Sequence, residues 1–169
     1  MQGLTTERLR LRDLDAADAG FILELVNEPD FIANIRDMGV RDLAQARAYI
    51  EEGPRASYAR HGFGLQCVEL KQTCEPIGIC GLVRRDTLPE PDLGYAILAR
   101  FHGRGYAREA AAAALAHARD ALGLARVLAI TAPANQPSAR VLAALGFREE
   151  GDIVIGGKPT KLYVWELEG

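Results

Sequence analysis

The sequence predicts a mixed α/β domain, and three observations carry this prediction. Short apolar or alternating runs typical of strands occur both before and after segments with helical periodicity. An alanine-rich helical segment lies between two apolar strands, which is the pattern of a strand–helix–strand unit. The 169 residues contain no internal repeat, linker or low-complexity tract. We therefore expect a single domain over residues 1–169.

Seven segments have the alternation or apolar content of strands. Two of them, residues 63–70 and 76–84, are separated by the polar residues 71–75, which predicts a hairpin. The strands are expected over residues 8–12, 63–70, 76–84, 93–98, 126–131, 147–154 and 161–167.

Four segments have helical periodicity with recognisable start and stop residues. Capping residues 13–18 precede the first helix, which ends at or just before Pro29. Asp42 caps the second, expected over residues 43–51 and stopped by the pair Gly53-Pro54. The other two helices are expected over residues 106–122 and 138–145, each followed by a glycine.

The composition limits the class of protein. The net charge is −3 at pH 7 and a quarter of the residues are charged, so no overall charge favours nucleic acid or an acidic membrane as a partner. The N-terminal residues lack a signal-peptide pattern, and no apolar run approaches the ~20 residues of a membrane span. We expect a cytoplasmic protein with neither a membrane nor a nucleic-acid partner.

The three cysteines point to a reducing compartment. Cys67, Cys74 and Cys80 follow neither CxxC nor zinc-finger spacing, and an odd number cannot all pair within one chain. We expect them to behave as small apolar side chains, with no metal site.

The segment His102–Arg108, HGRGYAR, joins an apolar strand to the alanine-rich helix. A helix N-terminus exposes unpaired backbone N–H groups and about half a positive charge. Glycines allow a sharp turn and the approach of a ligand to the backbone, and two arginines add positive charge. The combination predicts a phosphate site, with a plain strand-to-helix turn as the alternative.

Two common nucleotide-binding motifs are missing from the sequence. The P-loop requires GxxxxGK[ST], and the chain contains no such run. The dinucleotide fingerprint requires a third glycine, and Arg108 stands at that position. An NAD-dependent oxidoreductase or a kinase is therefore disfavoured.

The segment from His102 resembles the acetyl-coenzyme-A loop of the GNAT superfamily of N-acetyltransferases, whose pattern is [RQ]-x-x-G-x-[GA]. Gly105 and Ala107 match the glycine and the small residue. His102 departs from the usual Arg or Gln, which leaves the backbone amides of residues 103–108 to hold the pyrophosphate.

Further segments resemble the RimJ/RimL-like branch, the ribosomal-protein N-terminal acetyltransferases. They are residues 4–12, 92–95, 103–110, Asn135-x-x-Ser138, 145–147 and Gly151. The resemblance spans nearly the whole chain in the right order. It implies the GNAT fold, a mixed central sheet of about six to seven strands with about four helices, in which two splayed central strands form the acetyl-CoA cleft.

The resemblance also implies the reaction, in which acetyl passes from acetyl-CoA to a primary amine by direct attack within a ternary complex. The pantetheine arm would lie between strands 93–98 and 126–131, and a backbone N–H near residues 95–97 would stabilise the oxyanion. The implied cofactor-binding residues are Tyr95, Ala96, Ile97, His102, Gly103, Arg104, Gly105, Tyr106, Ala107, Arg108, Asn135 and Ser138.

One proton transfer concerns the departing thiolate. Many relatives use a tyrosine on the last helix, and Leu142 occupies that position here. In the RimJ/RimL-like branch the serine of Asn-x-x-Ser is the proposed substitute, which makes Ser138 the candidate acid. Asn135 and Ser138 also fit a turn and a helix cap, so both interpretations stay open.

The other proton transfer needs a base for the amine. Asp92 is the first candidate because it opens the strand that faces the cleft, with a loop or capping role as the alternative. Glu69 and His61 are reserve candidates, and a chain of water molecules is a further possibility.

The sequence leaves the acceptor open among protein N-termini, aminoglycosides, polyamines and amino acids. It would be selected by residues 15–60 and by the loops 86–91 and 156–159. The alternative function is a non-catalytic acyl-CoA-binding or sensing module on the same fold. A monomer and a homodimer are both compatible with the sequence.

Overall fold

The computed structural model describes residues 3–167, which form an eight-stranded mixed sheet and six α-helices. The strands are β1 (Leu4–Thr5), β2 (Leu9–Arg12), β3 (Leu65–Leu70), β4 (Pro76–Val83), β5 (Asp92–Ile97), β6 (Arg126–Thr131), β7 (Arg148–Ile155) and β8 (Lys158–Glu166). The helices are α1 (Ala19–Val26), α2 (Pro29–Asn34), α3 (Leu43–Ile50), α4 (Ala56–His61), α5 (Tyr106–Asp120) and α6 (Gln136–Ala144). Residues 1–2 and 168–169 of the expected domain lie outside the described residues.

The sheet order is β1-β2-β3-β4-β5-β6-β8-β7. Every neighbouring pair is antiparallel except β5 and β6, which run parallel and are joined through α5. The predicted α/β class, the strand–helix–strand unit and the hairpin around residues 71–75 are confirmed. The sheet contains one strand more than the six to seven expected, because β1 pairs with β2 as a two-residue edge strand.

Two helices, α2 and α4, were absent from the prediction, and one predicted helix end is wrong. Pro29 lies just past α1, as expected, but it also begins α2 at a first-turn position where its missing N–H is not required. The pair Gly53-Pro54 does not stop the second helix. Pro54 lies in a π-helical segment, Glu51–Arg55, that joins α3 to α4, and the wider turn accommodates the ring that a regular α-helix would reject.

The strands β5 and β6 separate after a single paired position. Asp92 of β5 is in register with Leu128 of β6, and Leu128 N–H donates to the Pro91 carbonyl at 3.0 Å. Beyond Asp92, β5 has no further ladder partner in β6. The two central strands therefore splay, as expected, and leave an opening on the side where β5 leads into α5.

Small side chains allow α5 to lie close to the sheet. Ala110, Ala111, Ala114 and Ala118 are buried in the main core, which extends on both sides of the sheet. A smaller apolar cluster forms around Leu88, Leu128 and Val164. None of the helices formed by residues 3–167 is long and apolar enough to cross a membrane.

All three cysteines are free thiols. Cys67 and Cys80 are buried, and burial raises the pKa of each thiol to about 12. Cys74 is exposed in the turn between β3 and β4.

Candidate active site

The glycines of the predicted anion loop adopt a backbone conformation that other residues rarely take. Gly103 has φ +76° and Gly105, the residue before α5, has φ +80°. The first helical hydrogen bond runs from Glu109 N–H to the Gly105 carbonyl at 3.1 Å. The N–H groups of Tyr106, Ala107 and Arg108 in the first turn thus have no partner within the helix. Residues 102–105 are exposed, so these donors lie at a surface that a ligand can reach.

A network of hydrogen bonds that includes an ion pair joins the N-terminal segment to this loop. Glu109, in the first turn of α5, accepts hydrogen bonds from Thr6 Oγ1 at 2.5 Å, Arg8 N–H at 2.9 Å and Arg8 Nε at 2.8 Å. Arg8 Nη1 donates to the Arg104 carbonyl at 2.9 Å, and the guanidinium lies 4.4 Å from the ring centre of Tyr106. Burial opposes ionisation of Glu109, but the hydrogen bonds from Thr6 and Arg8 outweigh it and lower its pKa.

Sequence reasoning did not identify Glu109, Thr6 or Arg8 as site residues. Thr6 enters the prediction only through the resemblance of residues 4–12, and Arg8 through that resemblance and the expected strand 8–12. Their contacts with Glu109 join residues about a hundred positions apart in the chain. An acidic residue in the first turn after a glycine loop is the local signal that was available.

The side chain of His102 is turned toward β5. Its Nε2 lies 2.6 Å from the Ile97 carbonyl, and its backbone N–H donates to the Ala99 carbonyl at 3.1 Å. These contacts close the short turn between β5 and the loop. The side chain of Arg104 lies over Phe101, with its guanidinium carbon 5.7 Å from the ring centre. The side chain of Arg108 is exposed.

The backbone of β5 presents a free edge to the opening. Leu98 N–H donates to the Ile77 carbonyl of the β4 side at 2.8 Å. Because hydrogen-bonding direction alternates along an antiparallel pair, the N–H groups of Tyr95 and Ile97 point away from β4, toward β6. β6 does not pair with them, so these two N–H groups are directed into the opening, whereas that of Ala96 is directed to β4.

Ser138 lies in the first turn of α6, where two polar side chains contact it. The Asn135 side chain caps the helix by accepting from Ser138 N–H at 3.3 Å. The hydroxyl oxygens of Tyr95 and Ser138 are 2.7 Å apart, so Ser138 has a contact across to β5 beyond its local turn. Leu142, one helical turn later, is buried in the core with 1% of its surface exposed.

Asp92 lies at the closed end of the opening, where β5 still pairs with β6. The side chain is fully buried, and Arg85 Nε donates to its Oδ1 at 2.9 Å. Among the described residues, Asp92 Oδ2 has no hydrogen-bond partner. Burial raises the pKa of Asp92, and the nearby Arg85 only partly offsets that effect. A buried carboxyl with one free oxygen is chemically suited to accept a proton.

The reserve bases lie elsewhere. Glu69 is on β3, which β4 separates from β5, and it is engaged by Arg10 at 3.2 Å and Arg12 at 3.0 Å. His61 is exposed at the end of α4 and stacks on Phe63 with ring centres 5.6 Å apart. Residues 3–167 contain no group of three or more His, Cys, Asp or Glu arranged to hold a metal ion.

Comparison with known proteins gives consistent matches over nearly the whole chain. The family model described as Acetyltransferase (GNAT) domain matches residues 8–148. The N-acetyltransferase p20 of Bacillus licheniformis is 30% identical over 152 residues, covering 89% of this chain and 85% of the relative.

Solved structures share the fold. The acetyltransferase from Agrobacterium tumefaciens matches with a TM-score of 0.84 and 27% identity, covering 99% of this chain and 95% of that chain. The ribosomal L7/L12 alpha-N-protein acetyltransferase RimL, in complex with coenzyme A, matches with a TM-score of 0.83 and 16% identity over 98% of both chains. The resemblance to the RimJ/RimL-like branch is confirmed as a likeness of fold.

Proposed function

The chain belongs to the GNAT acetyltransferase family, and on this premise we propose that it transfers acetyl from acetyl-CoA to a primary amine within a ternary complex. We take residues 1–169 as one acetyltransferase domain. The observation that carries the proposal is the opening between β5 and β6, which has a free backbone edge on one side and leads to the glycine loop at the start of α5.

The loop suits a pyrophosphate. Two left-handed glycines place the unpaired N–H groups of the first turn of α5 at an exposed surface, and the helix dipole adds positive potential there. Because the ring of His102 is turned toward Ile97, the backbone amides supply the contacts that the family makes with an Arg or Gln side chain. Arg104 and Arg108 add positive charge at the rim.

The free edge of β5 suits the pantetheine arm and the thioester. The amides of the pantetheine arm would pair with the N–H groups of Tyr95 and Ile97 and with the Tyr95 carbonyl, as a further strand pairs with a sheet. The Ile97 carbonyl is already in contact with His102 Nε2. One of these two N–H groups then donates to the thioester carbonyl and stabilises the oxyanion that forms when the amine attacks. Asn135 and Ser138, at the start of α6, would lie on the other side of the arm.

The two catalytic candidates, Asp92 and Ser138, are suited to different steps of the reaction. Asp92, buried with one free carboxyl oxygen, would take the proton of the amine. Ser138, whose hydroxyl lies at the start of α6, would donate a hydrogen bond to the departing sulfur. The amine nitrogen bonds to the acetyl carbon, the carbon–sulfur bond breaks, and the electron pair passes to sulfur, which leaves as CoA thiol once protonated.

The test is isothermal titration with acetyl-CoA of the wild-type chain and of two matched variants. Gly105→Asp places a carboxylate at the proposed pyrophosphate site, and we expect it to abolish binding. Gly123→Asp makes the same exchange at another left-handed glycine, φ +65°, beyond the far end of α5, and we expect wild-type affinity. Equal loss in both variants, or none in either, would contradict the placement of the cofactor.

Binding is then followed by a thiol-release assay with amines of four classes: peptide N-termini, aminoglycosides, polyamines and amino acids. Release of CoA with one class identifies the acceptor and supports the enzyme. Tight binding of acetyl-CoA without release of CoA for any class would favour the non-catalytic acyl-CoA-binding module. That module is the alternative because Leu142 occupies the position where many relatives have a tyrosine.

A further inference from the structure

Two hydroxyl side chains from different elements meet beside the proposed thioester site. Tyr95 belongs to β5 and Ser138 to α6, and their oxygens are 2.7 Å apart. The backbone carbonyl of Ser138 is 3.4 Å from the same phenol oxygen and is the weaker partner. Both side chains are half-buried, so this contact is shielded but borders the opening. A hydroxyl pair linking strand and helix at this point fixes the orientation of both groups.

Each hydroxyl has one proton, so the direction of this hydrogen bond decides where the other proton goes. A phenol is a stronger acid than an aliphatic alcohol and is the better donor of the two. Burial raises the pKa of Tyr95 to about 12, partly opposed by the bond to Ser138, so the phenol keeps its proton near neutral pH. The other titratable groups facing it are Cys80 from β4 and Tyr163 from β8. When Tyr95 donates, the Ser138 proton is free for another acceptor.

We propose that Tyr95 is a positioning residue for acetyl transfer, whose phenol donates to Ser138 Oγ and thereby directs the Ser138 hydroxyl proton at the thioester sulfur. This inference rests on the proposed function. The Ser138 N–H is already used by Asn135, and that bond holds the first turn of α6 in place. The hydroxyl is therefore the group of Ser138 that can reach the sulfur, and Tyr95 sets its direction.

This contact between Tyr95 and Ser138 explains why position 142 can be a leucine. Where relatives supply a phenol from the last helix, this chain has a leucine buried in the core, and the phenol comes from β5 instead. As the carbon–sulfur bond breaks, the electron pair on sulfur accepts the Ser138 hydrogen bond. The Tyr95 bond polarises Ser138 and strengthens that donation, because linked hydrogen bonds reinforce one another.

The test measures the thiol pKa of bound CoA, which requires no knowledge of the acceptor. CoA labelled with ¹³C at the carbon bonded to sulfur is titrated by NMR in saturated complexes, where its chemical shift reports ionisation of the thiol. In the wild type we expect the bound thiol pKa to lie about one unit below that of free CoA, since a hydrogen bond to the thiolate favours the charged form. Tyr95→Phe keeps the ring, and we expect it to lose roughly half of that shift.

Three further variants separate positioning from structure. Ser138→Ala is expected to abolish the shift, and adding Tyr95→Phe to it should change nothing more, because both act through one bond. Tyr49→Phe removes the phenol of a half-buried tyrosine on α3, near Arg36 and Arg85, and should leave the bound thiol pKa at its wild-type value. With an acceptor identified, Tyr95→Phe should lower kcat about tenfold and change KM for acetyl-CoA less than twofold.

The outcomes distinguish the two proposals. CoA that binds with a wild-type thiol pKa in Tyr95→Phe would overturn the role of Tyr95 and leave the proposed function intact. A Tyr95→Phe effect that persists in the Ser138→Ala background would also overturn it. Failure of the wild type to bind CoA would overturn the proposed function, and the role of Tyr95 with it.

Discussion

Arg8 and Glu109 are 101 residues apart in the chain and form an ion pair, with Arg8 Nε 2.8 Å from Glu109 Oε1. The same guanidinium donates to the carbonyl of Arg104, and its Nη2 would lie 3.4 Å from a Cβ built on Gly105. Arg8 thus contacts the glycine loop and the first turn of α5 at once. The segment before β2 supports the loop from the side, so the loop geometry depends on both halves of the chain.

Glu109→Gln keeps the shape of the side chain and removes its charge. We expect the dissociation constant for acetyl-CoA to rise three- to tenfold, roughly 1 kcal/mol, because the loop loses a charge-assisted contact that is partly exposed to solvent. Titration calorimetry measures the change. Asp120→Asn, at the opposite end of α5 and paired with Arg119, is the control and should bind as the wild type does. Equal affinity in both variants would show that the pair does not support the loop.

Gly81 in the middle of β4 tests how closely two strands pack. A Cβ at this position would lie 2.2 Å from the Gly64 carbonyl oxygen, a backbone atom that cannot move aside. We expect Gly81→Ala to lower the free energy of unfolding by about 3 kcal/mol. Gly20→Ala, exposed within α1 with no atom within 4 Å of the new Cβ, should raise it by up to about 1 kcal/mol. Urea denaturation of both variants checks this, and a Gly81→Ala variant as stable as the wild type would refute it.

Local signals were sufficient for the loop and the helix that follows. Two glycines before an alanine-rich segment specify a left-handed turn and a helix that lies close to the sheet, and both are found. Local signals were insufficient around Pro54, where the pair Gly53-Pro54 predicts the end of the second helix. A π-helical turn accommodates this pair and joins α3 to α4. The contacts that assemble the site join distant residues, Tyr95 with Ser138 and Arg8 with Glu109. No local pattern contains such pairings, since they follow from how the sheet brings its elements together.

Asp18 is expected to make stability depend on acid pH. Arg12 holds its carboxylate with two bonds of 2.9 Å, and Asp15 N–H donates to it at 3.0 Å. Burial opposes ionisation, but these bonds outweigh it and lower the pKa of Asp18. The contribution is therefore complete above the unfolded pKa of about 3.9 and is lost as pH falls through the lower folded value.

Asp18→Asn should destabilise the fold by about 2 kcal/mol at pH 7, with the difference from wild type shrinking as the pH falls below the unfolded pKa of about 3.9. Urea denaturation at pH 7 and pH 3 measures both. Asp152→Asn, whose exposed side chain pairs with Lys161, serves as the control with little effect at either pH. A difference that stays constant with pH would disprove the ionic origin.

Asp92→Asn separates catalysis from stability. Its pKa is raised in the fold, so folding favours the protonated form, and stability falls as pH rises from the unfolded pKa through the folded one. A neutral amide removes that penalty, and we expect Asp92→Asn to be at least as stable as the wild type at pH 7. If Asp92 accepts the proton of the amine, the same variant should lose about a hundredfold in kcat while binding acetyl-CoA normally. Wild-type activity in a stable variant would assign the proton transfer to water and leave Asp92 as the partner of Arg85.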